Sequence, residues 1–317
     1  MNGSLPLVLA LAGPTAVGKT DVALALADRY PVALISMDSA MVYRGMDIGT
    51  AKPPRELLAQ YPHALVDVRD PAEPYSAADF VADADAAVRA ALGAGRLPLL
   101  VGGTMLYLRS FREGLAQLPP ADAGMRAAIL AEAERDGWAG LYAELLRVDP
   151  VAARGLHPNN HTRIQRAVEV YRLTGSPISQ WWQEHAGSSA CQRLGARLQE
   201  VAILPESRGE LKRRIEVRFR AMLEAGLVAE VAALRARGDL SLELPSMRAV
   251  GYRQVWEYLQ GQGDQEELAL RGIAATRQLA KRQLTWLRSW PHMARLHWGE
   301  AQLLAERIGR LCHLEIS

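Results

Sequence analysis

Eight consecutive residues can do chemistry as they stand. Gly13-Pro14-Thr15-Ala16-Val17-Gly18-Lys19-Thr20 reads GxxxxGKT, the pattern of a phosphate-cradling loop. Glycines let such a backbone curl, so that several N–H groups point inward. A helix starting there adds the positive end of its dipole. Lys19 adds a full charge, and Thr20 offers a hydroxyl to a phosphate-bound magnesium. Chance alone matches four fixed positions in roughly one per cent of chains this long, so an accidental turn is a poor explanation. Such a loop suits a nucleotide hydrolase or a protein that holds polyphosphate without hydrolysing a nucleotide, and residues elsewhere decide between them.

Asp38 is the first of those residues. It follows Val32-Ala33-Leu34-Ile35-Ser36, an apolar run of strand length. In an open α/β sheet, ligands bind beyond the carboxyl ends of the strands, which would set Asp38 near the phosphate loop. A turn or cap aspartate is an equal alternative. Leu97-Pro98-Leu99-Leu100-Val101 is a further strand and ends in Gly102-Gly103-Thr104. A nucleotide-hydrolysing relative usually carries a magnesium-binding aspartate at such a tip. Here there are two glycines and a threonine hydroxyl. The glycines suit either close approach by a ligand or a tight strand-to-helix turn.

Positive charge gathers toward the C-terminus. The chain has net charge +2, but residues 1–100 carry −3 and residues 201–317 carry +4. Residues 268–290 hold Arg271, Arg277, Lys281, Arg282 and Arg288 with no acidic residue, and Trp286 and Trp290 beside them. Five uncompensated charges with aromatics on one helix form a footprint for nucleic-acid phosphates, against the alternative of a solvated helix face. His157 and His161 flank a proline and two asparagines, a loop rather than a zinc-binding helix face.

These groups need a scaffold. Leu7 to Ala12 is an apolar run before the phosphate loop, and Val22, Leu24 and Leu26 open an amphipathic helix ending near Tyr30-Pro31. Ala64 to Asp67 suits a third strand. Ser76 and Asp79 make a capping box for a helix to about Leu92. Residues 122–184 show helical periodicity and no strand, with helices over Met125–Ala133, Trp138–Leu146 and Ile164–Leu173. Leu198–Leu204 returns as a strand. The expected fold is α/β: a P-loop NTPase-like parallel sheet core, 1–120 and 200–317, with a helical insertion domain at 121–199. The sequence is 317 residues long, 49% hydrophobic and 23% charged, ordinary globular composition. Two distant cysteines fit a reduced, cytoplasmic setting. No stretch is long enough to span a bilayer. The N-terminal apolar run lacks a preceding basic residue, which suits a strand better than a signal peptide. Nothing calls for an obligate dimer, so a monomer is expected.

Longer strings then carry a resemblance. GPTAVGKT at 13–20, DSAMVYRGMDIGTAKP at 38–53, YSAADF at 75–80, LLVGGTMLY at 99–107, MRAVGYRQ at 247–254 and ATRQLAKRQLTWLR at 275–288 resemble the bacterial tRNA dimethylallyltransferases in order along most of the chain. The resemblance implies transfer of a dimethylallyl group from dimethylallyl diphosphate to the exocyclic amine of the adenosine 3′ of the tRNA anticodon. The loop at 13–20 would then hold that diphosphate rather than ATP, with Mg2+ near Thr20. The missing strand-tip aspartate follows, because no water attacks a γ-phosphate. Asp38 would take or orient the amine proton, Thr104 would sit by the reacting centre, and Arg218, in RIEVRF at 214–219, would stabilise the leaving diphosphate. The tRNA contacts carried over fall on Asp38, Ser39, Ala40 and Met41; on Arg126; on Thr162, Arg163, Ile164, Gln165 and Arg166; on Arg248, Gly251, Tyr252 and Arg253; and on Lys281, Arg282, Gln283, Trp286 and Arg288. Met41 stands where many relatives have glutamine, and a thioether cannot make the same hydrogen bonds. The competing readings are a small-molecule kinase using ATP, an RNA-binding module without turnover, and a transferase acting on free adenine nucleotides.

Overall fold

The computed structural model describes residues 5–116, 118–184 and 187–314. Its elements run β1 (Leu7–Ala12), α1 (Lys19–Ala27), β2 (Val32–Met37), α2 (Arg55–Gln60), β3 (His63–Ala64), α3 (Ala77–Gly93), β4 (Leu97–Gly102) and α4 (Met105–Glu113). Five helices follow: α5 (Ala123–Asp136), α6 (Trp138–Val148), α7 (Pro150–Arg154), α8 (His161–Thr174) and α9 (Ile178–Glu184). The chain continues with α10 (Ala190–Leu194), β5 (Arg197–Leu204), α11 (Arg208–Glu224), α12 (Leu227–Ala236), α13 (Tyr252–Leu259), α14 (Gln265–Arg288), β6 (Ala294–His297) and α15 (Ala301–Cys312).

The six strands form one parallel sheet in the order β3-β2-β4-β1-β5-β6. Both faces are covered, which is why the central strands read as continuous apolar runs rather than alternating ones. On β1, Val8, Ala10 and Ala12 pack into a core with Phe80, Val88 and Phe111. Leu9 and Leu11 point the other way, against Leu26 of α1 and Leu304 and Ile308 of α15. Each fully buried leucine there contributes about 1.5–3 kcal/mol.

Register decides where the site lies. Ala12 of β1 pairs with Gly102 of β4, and Gly102 pairs with Met37 of β2. Three strand tips therefore end level. The phosphate loop, Asp38 and Thr104, each just past one tip, come out side by side at the carboxyl edge of the sheet, as the switch-point rule requires.

Two strands differ from expectation. β3 is two residues long, because Leu65 and Asp67 take left-handed backbone angles, φ 66° and 57°, which no strand tolerates. β6 was not foreseen. It is four residues whose one strand partner among the described residues is β5, so its strand character is set by a distant pairing.

The chain divides into two compact units, residues 113–189 and the rest. Both boundaries fall earlier than 121 and 199. Residues 190–196 belong with the sheet: Arg193 of α10 donates to Asp85 Oδ2 at 2.7 Å and to the Phe111 carbonyl at 2.8 Å, tying α10 to α3 and α4. The shorter unit has its own core of Ile129, Leu141, Leu145, Ile164, Val168 and Ile178. Its described residues are helical or irregular, as the periodicity predicts. The Ser76–Asp79 capping box is present, with Asp79 N to Ser76 Oγ at 3.2 Å and Ser76 N to Asp79 Oδ2 at 2.8 Å.

Candidate active site

The loop from Gly13 to Gly18 turns under tight restraint. A Cβ on Gly13 would lie 2.7 Å from the Ile203 carbonyl oxygen, so only glycine fits there. Ala16 and Gly18 take left-handed angles, φ 63° and 91°, which re-aim the following amides. Among the described residues, no bond within the protein engages the N–H groups of Ala16, Val17, Gly18, Lys19 or Thr20. The loop's outward groups, in contrast, are tied. Lys19 Nζ donates to the Pro14 carbonyl at 2.9 Å. Arg214 of α11 donates from Nε to the Ala16 carbonyl at 2.9 Å, while its guanidinium stacks 4.6 Å from the Trp298 ring centroid. The Thr15 N–H donates to Gln283 Oε1 at 2.9 Å. The loop is thus held in shape from outside with five amides left for an anion.

A cleft of about 610 Å³ opens at this place, in the range of small-molecule sites. Thr15, Ala16, Lys19 and Thr20 line it from the loop. Asp38, Ser39, Ala40 and Met41 line it from the tip of β2, Gly102, Gly103 and Thr104 from that of β4, and Arg218 from α11. Arg248, Arg282 and Trp286 also reach it.

Asp38 lies beside the phosphate loop and also makes a turn. Its Oδ1 accepts the Ala40 N–H at 2.8 Å and the Met41 N–H at 3.3 Å, the Asx turn expected of a turn aspartate. No described residue hydrogen-bonds Oδ2, and the carboxylate faces the cleft. Thr104 links the two strand tips: its hydroxyl accepts the Ser39 N–H at 3.0 Å and donates to Ser39 Oγ at 3.3 Å. The paired glycines answer to the chain's own packing. A Cβ on Gly102 would lie 1.9 Å from the Met37 carbonyl oxygen, and one on Gly103 would lie 2.4 Å from Gln283 Nε2.

Charge in the cleft is unbalanced. Burial lowers the Lys19 ammonium to about 8, Arg218 pushes it the same way, and Asp38 opposes them. Burial likewise lowers the Arg218 guanidinium from its ordinary value, with Asp38 opposing and Arg214 adding to the fall. No ion pair or hydrogen bond within the described residues satisfies Arg218. Two desolvated cations therefore face one carboxylate, a field that an anion would relieve.

The remaining expected positions divide. Lys281, Arg282 and Arg288 are exposed on α14 with no ion pair among the described residues. Arg271 and Arg277 are not uncompensated: Arg271 lies 3.5 Å from Glu257 and Arg277 2.9 Å from Glu216, carboxylates supplied by α13 and α11. Arg248 and Arg253 pair with Glu243 and Glu257 at 2.6 and 2.9 Å. Tyr252 is fully buried and donates to Glu230 Oε1 at 2.5 Å, so its side chain cannot meet RNA. Gly251 precedes α13 as its N-cap, at φ 96°. Gln283 is 7% exposed, lines the inner wall of the cleft and has both ends of its amide engaged within the protein. In the helical unit, Thr162 and Arg163 are exposed, but Ile164 is fully buried in the core, which removes it from any contact surface. Arg126 and Arg166 hold the buried Glu169 at 3.0 and 2.8 Å, and Gln165 donates to the Arg126 carbonyl at 3.4 Å. His161 stacks flat on Trp138, centroids 4.4 Å apart, in keeping with a structural histidine.

Three positioning groups escaped the sequence reading. Arg214 and Trp298 brace the phosphate loop. Glu230 accepts the N–H groups of Asp47, Ile48 and Gly49 at 3.0, 2.7 and 3.2 Å, fixing a turn that runs into the cleft wall at Gly49, Thr50 and Ala51. Their partners are distant in sequence, and no local pattern announces them.

The comparisons with known proteins agree with one another. The family model described as IPP transferase matches residues 41–290. The tRNA dimethylallyltransferase 2 of Hahella chejuensis is 54% identical over 313 residues, covering 96% of this chain and 94% of that protein. The tRNA dimethylallyltransferase of Ralstonia nicotianae is 56% identical over 288 residues, covering 90% and 89%. Among solved structures, the full-length tRNA isopentenylpyrophosphate transferase of Bacillus halodurans superposes with TM-score 0.70 at 35% identity, covering 98% of this chain and 96% of that one. A eukaryotic dimethylallyltransferase acting on tRNA shares the fold at TM-score 0.78 and 23% identity, covering 98% and 81%. The chain belongs to the IPP transferase family, the tRNA dimethylallyltransferases.

Proposed function

We infer that this chain transfers the dimethylallyl group of dimethylallyl diphosphate to the exocyclic amine of the adenosine immediately 3′ of the tRNA anticodon, releasing diphosphate, at the cleft between the phosphate loop and Asp38. The observation that carries the residue-level reading is the unbalanced charge there: desolvated Lys19 and Arg218, with five unengaged amides, opposite one carboxylate. No carboxylate at the β4 tip is placed to serve water attack on a nucleotide, since Gly102, Gly103 and Thr104 occupy it.

The allylic C–O bond breaks and a C–N bond forms. Negative charge grows on the leaving diphosphate, where the amides of Ala16 to Thr20, Lys19 and Arg218 receive it. Removing one such preorganised donor costs on the order of 3 kcal/mol in the transition state. An adenine amine is a weak nucleophile, so orientation is decisive. Asp38 Oδ2 accepts its hydrogen bond and then its proton, while Oδ1 stays in the Asx turn. Thr104 keeps the turn in place. The target base leaves the anticodon-loop stack to reach the cleft, and Lys281, Arg282 and Arg288 hold backbone phosphates.

Magnesium fits a sparse protein contribution. Among the described residues no group of three or more His, Cys, Asp or Glu could hold a metal, while the Thr20 hydroxyl lines the cleft. Magnesium usually takes one or two protein oxygens and completes its shell with substrate phosphates and water. Thr20 would hold it with the diphosphate, and the ion would supply charge to the leaving group. Among the described residues no helix is long and apolar enough to cross a membrane.

The test is direct. tRNA incubated with the protein and dimethylallyl diphosphate is digested and read by mass spectrometry. The modification should sit on the adenosine 3′ of the anticodon, with equimolar diphosphate released. Unmodified tRNA alongside phosphorylation of a small acceptor with ATP would refute the reading.

A further inference from the structure

We propose that Gln283 is a positioning residue that couples occupation of the basic helix by RNA to the shape of the diphosphate cradle. The inference rests on the reading of the cleft as a transferase site and adds a mechanism of cooperation between its two substrates.

The geometry is specific. Gln283 sits near the C-terminal end of α14, its side chain turned inward while its neighbours Lys281 and Arg282 are exposed. Its Oε1 accepts the Thr15 N–H at 2.9 Å. Its Nε2 donates to the Gly103 carbonyl at 2.9 Å in a buried bond. One amide therefore spans the first turn of the phosphate loop and the tip of β4. The first bond adjoins the five amides left for the diphosphate. The second adjoins Thr104, which holds Ser39 and with it the Asx turn of Asp38. No other described side chain hydrogen-bonds both the phosphate loop and the β4 tip.

The fit is enforced from the other side. Gly103 has no room for a side chain, since a Cβ there would lie 2.4 Å from Gln283 Nε2. A buried amide with one donor and one acceptor engaged cannot slip without stranding polar groups, which costs more than the bonds themselves contribute. A small shift of α14 must therefore move Thr15, Gly103 or both. Exposed cations one and two residues away are the groups that phosphates of a docked RNA would pull. Binding energy gained on the outer face of α14 is in this way delivered to both halves of the reacting centre, and by linkage the diphosphate must act back on RNA affinity by the same factor.

The test measures that factor. Affinity for inorganic diphosphate is determined with and without a saturating tRNA anticodon stem–loop, for the wild type, Gln283→Met and Gly103→Ala. The wild type should bind diphosphate about fivefold or more tightly with RNA present. Both variants should bind diphosphate with equal affinity in either condition, while affinity for the stem–loop alone stays within about twofold of wild type. The two variants reach the same amide from opposite sides, so loss of fold in one leaves the other to decide, with thermal melting as the check. A wild type with no coupling, or variants that keep it, would overturn the proposal. So would a Gln283→Met variant that loses stem–loop affinity with diphosphate binding intact, because the side chain would then be an RNA contact. Failure of the wild type to transfer the prenyl group at all would instead strike the transferase reading, so the two failures are distinguishable.

Discussion

The Thr104 hydroxyl accepts the Ser39 N–H at 3.0 Å and donates to Ser39 Oγ at 3.3 Å. That pair closes the tip of β4 onto the tip of β2 and fixes the residue next to Asp38. Thr104→Val keeps the volume and removes the bond. Misplacing a reacting group by about 1 Å can cost on the order of 100-fold, so single-turnover transfer should slow by about 10- to 100-fold. Binding of prenyl donor should change little, and Thr104→Ser should restore most of the rate.

Asp38 offers a cleaner separation, because its two oxygens do different things. Asp38→Asn keeps an acceptor for the Ala40 and Met41 N–H groups but loses the charge facing the cleft. Its melting temperature should match wild type while transfer falls by about 100-fold or more, the scale of a lost general base. Asp38→Ala should lose the turn as well and melt lower. Equal turnover in wild type and Asp38→Asn would leave Asp38 as a turn residue only.

Lys19 sets a pH dependence. Its folded value of about 8 lies below the ordinary 10.5, so the unfolded chain holds this proton more tightly than the folded one. The charged form is penalised by folding, and this penalty is present in full below pH 8 and lifts as pH rises from about 8 to 10.5. Stability of the free protein, measured as wild type minus Lys19→Met, should therefore rise across that window. Anion binding should run the opposite way. Diphosphate favours the ammonium, so affinity should fall as pH passes about 8, with proton uptake on binding visible by calorimetry. Lys19→Met should bind weakly and take up no such proton.

The basic helix can be tested by salt. Each phosphate contact contributes about 0.7–0.9 to the slope of log affinity against log salt. Replacing Lys281, Arg282 and Arg288 together by Ala should flatten the slope by about two to three units. Replacing Arg271 and Arg277 should leave it unchanged, because their charge is already met by Glu257 and Glu216. Similar effects from both sets would mean that the helix acts through net charge alone.

Much of this was legible in the residues. β1, the phosphate loop and α1 follow one another in sequence, and local pattern suffices to find them. Asp38 could be placed near the loop from the rule about strand tips and Thr104 from the resemblance, but their alignment needed the register Ala12–Gly102–Met37. Whole stretches taken from resemblance included residues that the helix turns inward. Ile164 is one, and its 3.6-residue periodicity with Ala167 and Val168 already carried that information. Tyr252 and Gln283 are harder cases, because their partners Glu230, Thr15 and Gly103 lie far away in sequence. The same distance hid Arg214, and it hid β6, whose four residues become a strand only beside β5.

The sharpest measurement is the structure of the protein with inorganic diphosphate and a tRNA anticodon stem–loop. The diphosphate should lie on the amides of Ala16 to Thr20 with Lys19 and Arg218 against it, and the exposed adenine amine should face Asp38 Oδ2. Diphosphate seated instead in the neighbouring cavity beside Arg44, Lys52 and Arg55, away from the amides of Ala16 to Thr20, or an adenine still stacked in its loop away from Asp38, would contradict the account.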